Sequence, residues 1–251
     1  MINIKKRKER KLVLVSLFTV FVIVVSYFIV SATIINYKKK IPGSDEITNT
    51  EIPVKFSYEE NRDLCKELKD VSANYKDAKA WLKIPGTSID SVIYQSTDND
   101  RYLRNDKDNN QTRWGENFLD YRCNLSKINE PMQNIIIYGH NTEVDTRFTP
   151  LFNYLDYEYY TKHQYIELAT YDKNYKFQIF SVYETTTDFY YIDTLFKDID
   201  SYGEFVKSLK DQSQIDTKVE ISKEDTILTL STCDYSNTNG RFVVQAKLIK
   251  E

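Results

Sequence analysis

Histidine, cysteine and glycine are all scarce in this 251-residue chain, which holds two His, three Cys and six Gly, with five Pro and two Met. Three Cys in so long a chain exclude a disulfide framework, and an odd count leaves at least one thiol unpaired within the chain. The low Gly and Pro content excludes collagen-like and low-complexity chains. Two distant imidazoles, without a close Cys or acidic cluster, give no metal-ligand spacing, so no metal and no cofactor is expected. The acidic run Asp98-Asn99-Asp100, with Asp106 and Asp108, lacks the Gly and Glu of an EF-hand loop and reads as a plain loop. Any mechanism that needs an imidazole must use His140 or His163. What remains, 41% hydrophobic and 28% charged positions with 20 Tyr and 13 Phe, is the composition of an ordinary globular domain.

Net charge is also small, at −3 from 34 basic and 37 acidic residues, which argues against a nucleic-acid partner. The charges are segregated, however. Residues 1–40 hold nine basic residues and one acid, so the other 25 basic and 36 acidic residues leave the remainder at −11. Between the two basic clusters, Leu12 to Ile35 run 24 residues without a charge. As a helix this segment would be about 36 Å long at about 1.5 Å per residue, enough to cross an apolar bilayer core of about 30 Å. A buried core helix rarely runs so long without a charge. A cleaved signal peptide loosely fits Val30-Ser31-Ala32, but the apolar stretch exceeds the roughly 7–15 residues of such a segment. The reading is an uncleaved single-pass anchor at the cell membrane. Six basic residues before it against three after it favour a cytoplasmic basic tail, 1–11, and an outward-facing remainder.

Residues 36–57 read as a linker, polar and aperiodic with two Pro. From Tyr58 to Lys79 the pattern turns helical, with Leu64, Leu68 and Val71 at three- and four-residue spacing and Cys65 beside that stripe as a small buried side chain. Short β-like runs follow, near Ala80–Ile84, Ile89–Tyr94, Asn117–Asp120, Asn134–Gly139, Tyr165–Thr170, Tyr175–Thr185, Thr226–Ser231 and Phe242–Ile249. Helical interruptions are expected at Phe148–Tyr154 and Ser201–Gln212, the latter with Phe205, Val206 and Leu209 on one face. The fold class is therefore mainly β with added helices. Eight short strands at irregular spacing need closure or cover for their edges, which points to a closed or nearly closed barrel.

The chemistry concentrates in Thr226-Ile-Leu-Thr-Leu-Ser-Thr-Cys233-Asp-Tyr-Ser-Asn-Thr-Asn-Gly240-Arg241. A strand reaches a Cys, a polar loop with Asn239-Gly240 follows, and a second strand opens with Arg. If the two strands pair as a hairpin, Cys233 and Arg241 flank one loop at neighbouring strand ends. Cys attacks as a thiolate from an unperturbed pKa of about 8.5. Arg is permanently cationic and suits an oxyanion, but it cannot act as a general base. That role falls to a His. His140 sits in Asn134-Ile-Ile-Ile-Tyr138-Gly139-His140, directly after an apolar strand. His163, among polar neighbours in Tyr160-Thr-Lys-His163, reads as structural or solvated, and nothing supports Cys123 as a nucleophile.

The Thr229-Leu-Ser-Thr-Cys233 tract, the Arg eight residues on and the Tyr-Gly-His140 strand end resemble a sortase, one of the cysteine transpeptidases that attach surface proteins to Gram-positive cell walls. The resemblance spans about Tyr58–Glu251. Asp234 after the Cys, the helical stretch before the barrel and the helix ahead of the Cys strand are similar to class B. The chain stops soon after the Arg strand, without the second, C-terminal membrane helix of class C members. The resemblance implies an eight-stranded closed sortase barrel and a two-step acyl transfer with Cys233, His140 and Arg241 as the catalytic residues. Cys233 would form a thioester with a Thr carbonyl in the C-terminal sorting motif of a secreted protein. Arg241 would hold the oxyanion, and His140 would protonate the leaving amine and deprotonate the incoming one, normally an amine of the peptidoglycan cross-bridge. It also implies a substrate-binding set: Asn99 and Leu103 in one loop, Tyr138 before the Gly-His, Thr187, Tyr191 and Ile192 over the site, Ser231 and Asp234. Core burial would equally explain Leu103 and Ile192, and Asp234 could simply cap the loop.

Two other functions are compatible with the sequence. An extracellular cysteine peptidase would resolve the acyl-enzyme with water in place of an amine. A membrane-tethered wall-binding module or adhesin would use the many Tyr as a ligand surface and need no thiol. The L,D-transpeptidases also use Cys on wall peptides but place a His close before the nucleophile, where this chain has Ser231 and Thr232.

Overall fold

The computed structural model describes residues 62–142, 146–234 and 238–250. The expected membrane anchor, its basic tail, the linker and the start of the helical stretch at Tyr58 lie outside the described residues. Among the residues described, no helix is long and apolar enough to cross a membrane.

The described residues form eight strands: β1 Ala78–Lys83, β2 Asp90–Tyr94, β3 Phe118–Leu119, β4 Asn134–Tyr138, β5 Tyr165–Ala169, β6 Asn174–Thr186, β7 Ile227–Asp234 and β8 Gly240–Leu248. They close into a barrel in the order β1-β2-β3-β4-β7-β8-β6-β5, so each of them has a neighbour on both sides. The pairings β2–β3 and β4–β7 are parallel and the rest antiparallel. Parallel neighbours end on the same side of a sheet. The residues that follow β4 and those that close β7 therefore meet at one rim, although nearly a hundred residues separate them in sequence.

Strand alternation sorts the side chains. On β8, Phe242, Val244, Ala246 and Leu248 enter the barrel interior, while Val243 joins a second cluster outside it. On β6, Phe177, Ile179 and Val182 face inward, and Phe180 and Tyr183 face outward. The odd three-residue step from Ile179 to Val182 is produced by a register shift against β8 between Ile179 and Ser181. Each fully buried Leu, Ile or Phe contributes about 1.5–3 kcal/mol, so this interior dominates stability.

Four α-helices of the described residues decorate the barrel: α1 Leu64–Asn74, α2 Arg101–Arg104, α3 Tyr157–Lys162 and α4 Ile199–Asp211. The Asp63 carboxylate caps α1 by accepting the Lys66 N–H at 3.0 Å. The helix stops at Asn74 rather than Lys79, because Tyr75 turns to extended backbone and Ala78 pairs with Tyr94 in the ladder. The stretch read as a plain loop contains α2, where the Asp98 carboxylate accepts the N–H groups of Asp100 and Arg101. Asp106 likewise accepts the N–H groups of Asp108 and Asn110, closing a turn. The interruption expected at Phe148–Tyr154 is a 3-10 helix, Thr149–Leu155, followed by α3, which Asp156 caps. Helix α4 opens on a capping box at Asp198 and buries Tyr202, Val206 and Leu209 against Phe180, Tyr183 and Val243. Phe205, expected on that face, is only partly buried, because Tyr202 is the residue one turn before Val206.

Candidate active site

β7 runs past Ser231 through Asp234, and β8 opens at Gly240 rather than Phe242. Cys233 and Arg241 are consequently direct cross-strand partners in the antiparallel ladder. Opposite residues project from the same face of a sheet, about 4.5–5.5 Å apart at Cβ. The thiol and the guanidinium are therefore set side by side by the hairpin itself. The Arg241 Nη1 donates to the Gly240 carbonyl at 2.8 Å, which fixes one arm of the fork.

His140 reaches the same rim from β4. Tyr138 pairs with Ser231 in the parallel ladder, and the Gly139 N–H continues it by donating to the Ser231 carbonyl at 3.2 Å. Gly139 is required by space. A Cβ there would lie 2.6 Å from both the Asn117 Oδ1 and the Phe148 ring. His140 is 8% exposed, its Nε2 lies 2.9 Å from the Leu103 carbonyl oxygen, and the Trp114 ring meets it edge-on at 6.0 Å. A carbonyl only accepts, so Nε2 carries the proton and the neutral ring keeps its lone pair on Nδ1. Burial lowers the imidazole pKa, the Leu103 carbonyl opposes that by favouring the cation, and Arg104 and Arg147 lower it further; the net direction is down. Neutral imidazole, able to accept a proton, is the resting form at pH 7. Among the described residues no carboxylate hydrogen-bonds this ring, and the carbonyl of Leu103 does the orienting.

A groove of about 270 Å³ joins these groups. Cys233, His140 and Arg241 line it together with Asn99, Leu103, Tyr138 and Ser231 from the expected binding set. Asp100, Phe118, Gly139 and Thr232 complete the lining. Thr232 is 2% exposed, and its hydroxyl has no hydrogen-bond partner among the described residues. The other expected binding residues stand back from this lining. Tyr191 is buried, with its hydroxyl 2.8 Å from the Ser231 Oγ. Ile192 packs against both major core clusters, the alternative its apolar character left open. Thr187 is exposed, and its N–H donates to the Asn239 carbonyl at 3.2 Å. Asp234 closes β7, and its side chain is outside what the structure describes.

The remaining scarce residues lie elsewhere. Cys123 is buried, its sulfur accepts the Ile136 N–H at 3.4 Å, and burial pushes its thiol up to about 12, so it is inert at neutral pH. Cys65 sits half-buried on α1, where burial and the nearby Asp63 raise its pKa. The His163 Nδ1 lies 2.9 Å from the Pro85 carbonyl, and its ring lies tilted against Tyr159 with centroids 4.4 Å apart. That ring fills the space over Gly86, a structural placement.

Sequence reasoning missed Asp120 and Arg122. Asp120 is fully buried and accepts from Arg122 Nε at 2.9 Å and Nη2 at 2.8 Å, from Asn99 Nδ2 at 3.0 Å and from Tyr138 Oη at 3.0 Å. An Asp-x-Arg pair at a strand exit was the available signal. It resembles an ordinary surface ion pair until the burial is seen.

Residues 82–249 match the sortase domain. The sortase B of Listeria monocytogenes is 40% identical over 191 residues, 75% of this chain and 76% of its own. The sortase B of Staphylococcus aureus is 33% identical over 247 residues, 97% of this chain and 99% of its own. A Staphylococcus aureus sortase B–substrate complex superposes with a TM-score of 0.69 at 36% identity, covering 74% of this chain and 86% of that one. With a family match over most of its length and a barrel of the same closure, the chain belongs to the sortase family, and within it to class B, cysteine transpeptidases of surface proteins.

Proposed function

We propose that the groove over Cys233 receives the C-terminal sorting motif of a secreted protein and that Cys233, His140 and Arg241 carry the reaction. The observation that carries this reading is the direct cross-strand pairing of Cys233 with Arg241 on the groove that also holds His140. The Cys233 Sγ attacks the motif's Thr carbonyl, and its proton passes to the Nδ1 of His140. The oxyanion develops beside the guanidinium of Arg241, a donor that needs no reorganisation as charge appears. Collapse breaks the C–N bond, His140 returns the proton to the leaving amine, and a thioester remains. An amine of the peptidoglycan cross-bridge then attacks, His140 takes its proton, and the new amide leaves with Cys233 restored as thiol. Water in place of the amine completes a peptidase half-reaction. Asn99, Leu103, Tyr138 and Ser231 supply the groove walls, with Thr187, Tyr191, Ile192 and Asp234 in the segments around it.

The domain reading follows the same line: a cytoplasmic tail 1–11, a membrane anchor 12–35, a linker 36–57 and an outward-facing catalytic domain 58–251. The uncharged Leu12–Ile35 run supports this.

Incubating the protein with Thr-containing sorting-motif peptides, with and without an oligoglycine amine, tests the reaction. The expected result is a peptide–amine adduct that grows at the expense of the hydrolysed fragment as amine is added. Hydrolysis indifferent to amine would leave a peptidase. For the anchor, full-length protein should sediment with membranes and resist high-salt extraction, whereas protein beginning at residue 36 should not; equal behaviour would refute it.

A further inference from the structure

We propose that the ion pair of buried Asp120 with half-buried Arg122 is a positioning device that ties the groove wall at Asn99 and Tyr138 to the segment 190–193 behind the groove and thereby sets affinity for the sorting peptide. This rests on the groove being the peptide site, and it concerns residues that do not line it. Three residues make five hydrogen bonds to the Asp120 carboxylate, counting the Arg122 backbone N–H at 2.9 Å. Through Asn99 the carboxylate holds the segment before α2, and the Asn99 Oδ1 is in turn bound by the Tyr121 N–H at 3.1 Å. Through Tyr138 it holds the end of β4, two residues before His140. Arg122 extends the tie to the segment 190–193, which stands back from the groove lining. Its Nη2 donates to the Ile192 carbonyl at 3.1 Å and its Nη1 to the Tyr190 hydroxyl at 3.3 Å. Between them lies Tyr191, whose hydroxyl pairs with Ser231, two residues before Cys233.

A fully buried carboxylate is costly unless its lone pairs are satisfied, and a guanidinium fork satisfies them in one geometry. The pair therefore fixes distances as well as charges. Asn99 and Tyr138, residues a substrate would meet, have polar ends committed to Asp120, so they present a rigid wall instead of free donors. The segment at 190–193 has a second hold from below, because the Asn134 Nδ2 donates to the carbonyls of Tyr191 at 3.2 Å and Asp193 at 3.0 Å. Loss of the Arg122 fork should thus leave that segment folded and remove its link to the groove wall at Asn99 and Tyr138. Neither residue lines the groove beside the thiol or the imidazole, so chemistry on a bound peptide should persist.

The test uses Asp120→Asn, Arg122→Lys and the double variant, with the best Thr-containing peptide substrate of the wild type and with iodoacetamide as a small probe of Cys233. Each single variant should raise KM by about tenfold or more while kcat and the iodoacetamide inactivation rate stay within about twofold of wild type. The double variant should be no worse than the worse single one, as for residues acting as a unit. A wild-type KM in Arg122→Lys, which keeps the charge but not the fork, would overturn the proposal. So would a parallel fall in iodoacetamide reactivity, which would place the pair in the support of the nucleophile instead. A wild-type protein that turned over no peptide would bring down the proposed function itself, and this inference with it.

Discussion

At the scale of single residues, His140 has the environment that gives it a testable titration. Burial outweighs the opposing Leu103 carbonyl, and the imidazole pKa falls below its ordinary 6.5. If the neutral ring must accept the thiol proton, kcat/KM rises with pH through that lowered value, so the acid limb should have its midpoint below 6.5. A midpoint above that value in a pH–rate profile would contradict the assignment. The sign is the same for stability. A base held neutral in the fold adds stability above its unfolded pKa and loses it as pH falls toward the folded one. His140→Ala and Arg241→Ala should each lower transpeptidation by about a hundredfold or more, while His163→Ala, whose ring covers Gly86 outside the groove lining, should change it little. A near-wild-type rate in either of the first two, or a loss in the third, would reassign the roles.

The elements show what local pattern conveys and what it does not. The β7–β8 hairpin was legible because Cys233 and Arg241 bracket an Asn-Gly loop between alternating strands, and the ladder pairs those two residues directly. The parallel β4–β7 neighbourhood that brings His140 to them was not legible from spacing, since it depends on a crossover of nearly a hundred residues. Nor was α2, where acidic side chains that look like solvated loop residues accept backbone N–H groups. Lys79 belongs to a strand although the helical reading extends to it, because its neighbours Ala78 and Ala80 pair with β2 and ladder pairing overrides local propensity. Apolar spacing places a helix at Ser201–Gln212, but its start at Ile199 is set by the Asp198 capping box, a polar signal outside that spacing. Asp198→Ala should lower the denaturant midpoint with kcat/KM unchanged, because the helix cap is lost and no residue of α4 lines the groove. A denaturant midpoint equal to wild type would show that the cap contributes nothing.

For the whole molecule, near-neutral overall charge conceals a basic first 40 residues and an acidic remainder of −11. The barrel supplies rigidity, and the groove at its rim collects residues from β4, β7, β8 and the α2 segment. The candidate trio of Cys233, His140 and Arg241 could be picked out by motif and strand position. The Asp120–Arg122 tie could not, because its importance lies in the complete burial of Asp120 and in partners up to 70 residues away. The central claim is that Cys233 carries the acyl group. Intact and peptide-level mass spectrometry of protein mixed with a cleavable sorting-motif peptide tests it most directly. The expected result is a mass gain equal to the peptide's N-terminal fragment, mapped to Cys233, absent in Cys233→Ala and discharged on adding an amine. Peptide turnover by Cys233→Ala, or an adduct at Cys65 or Cys123 instead, would contradict it.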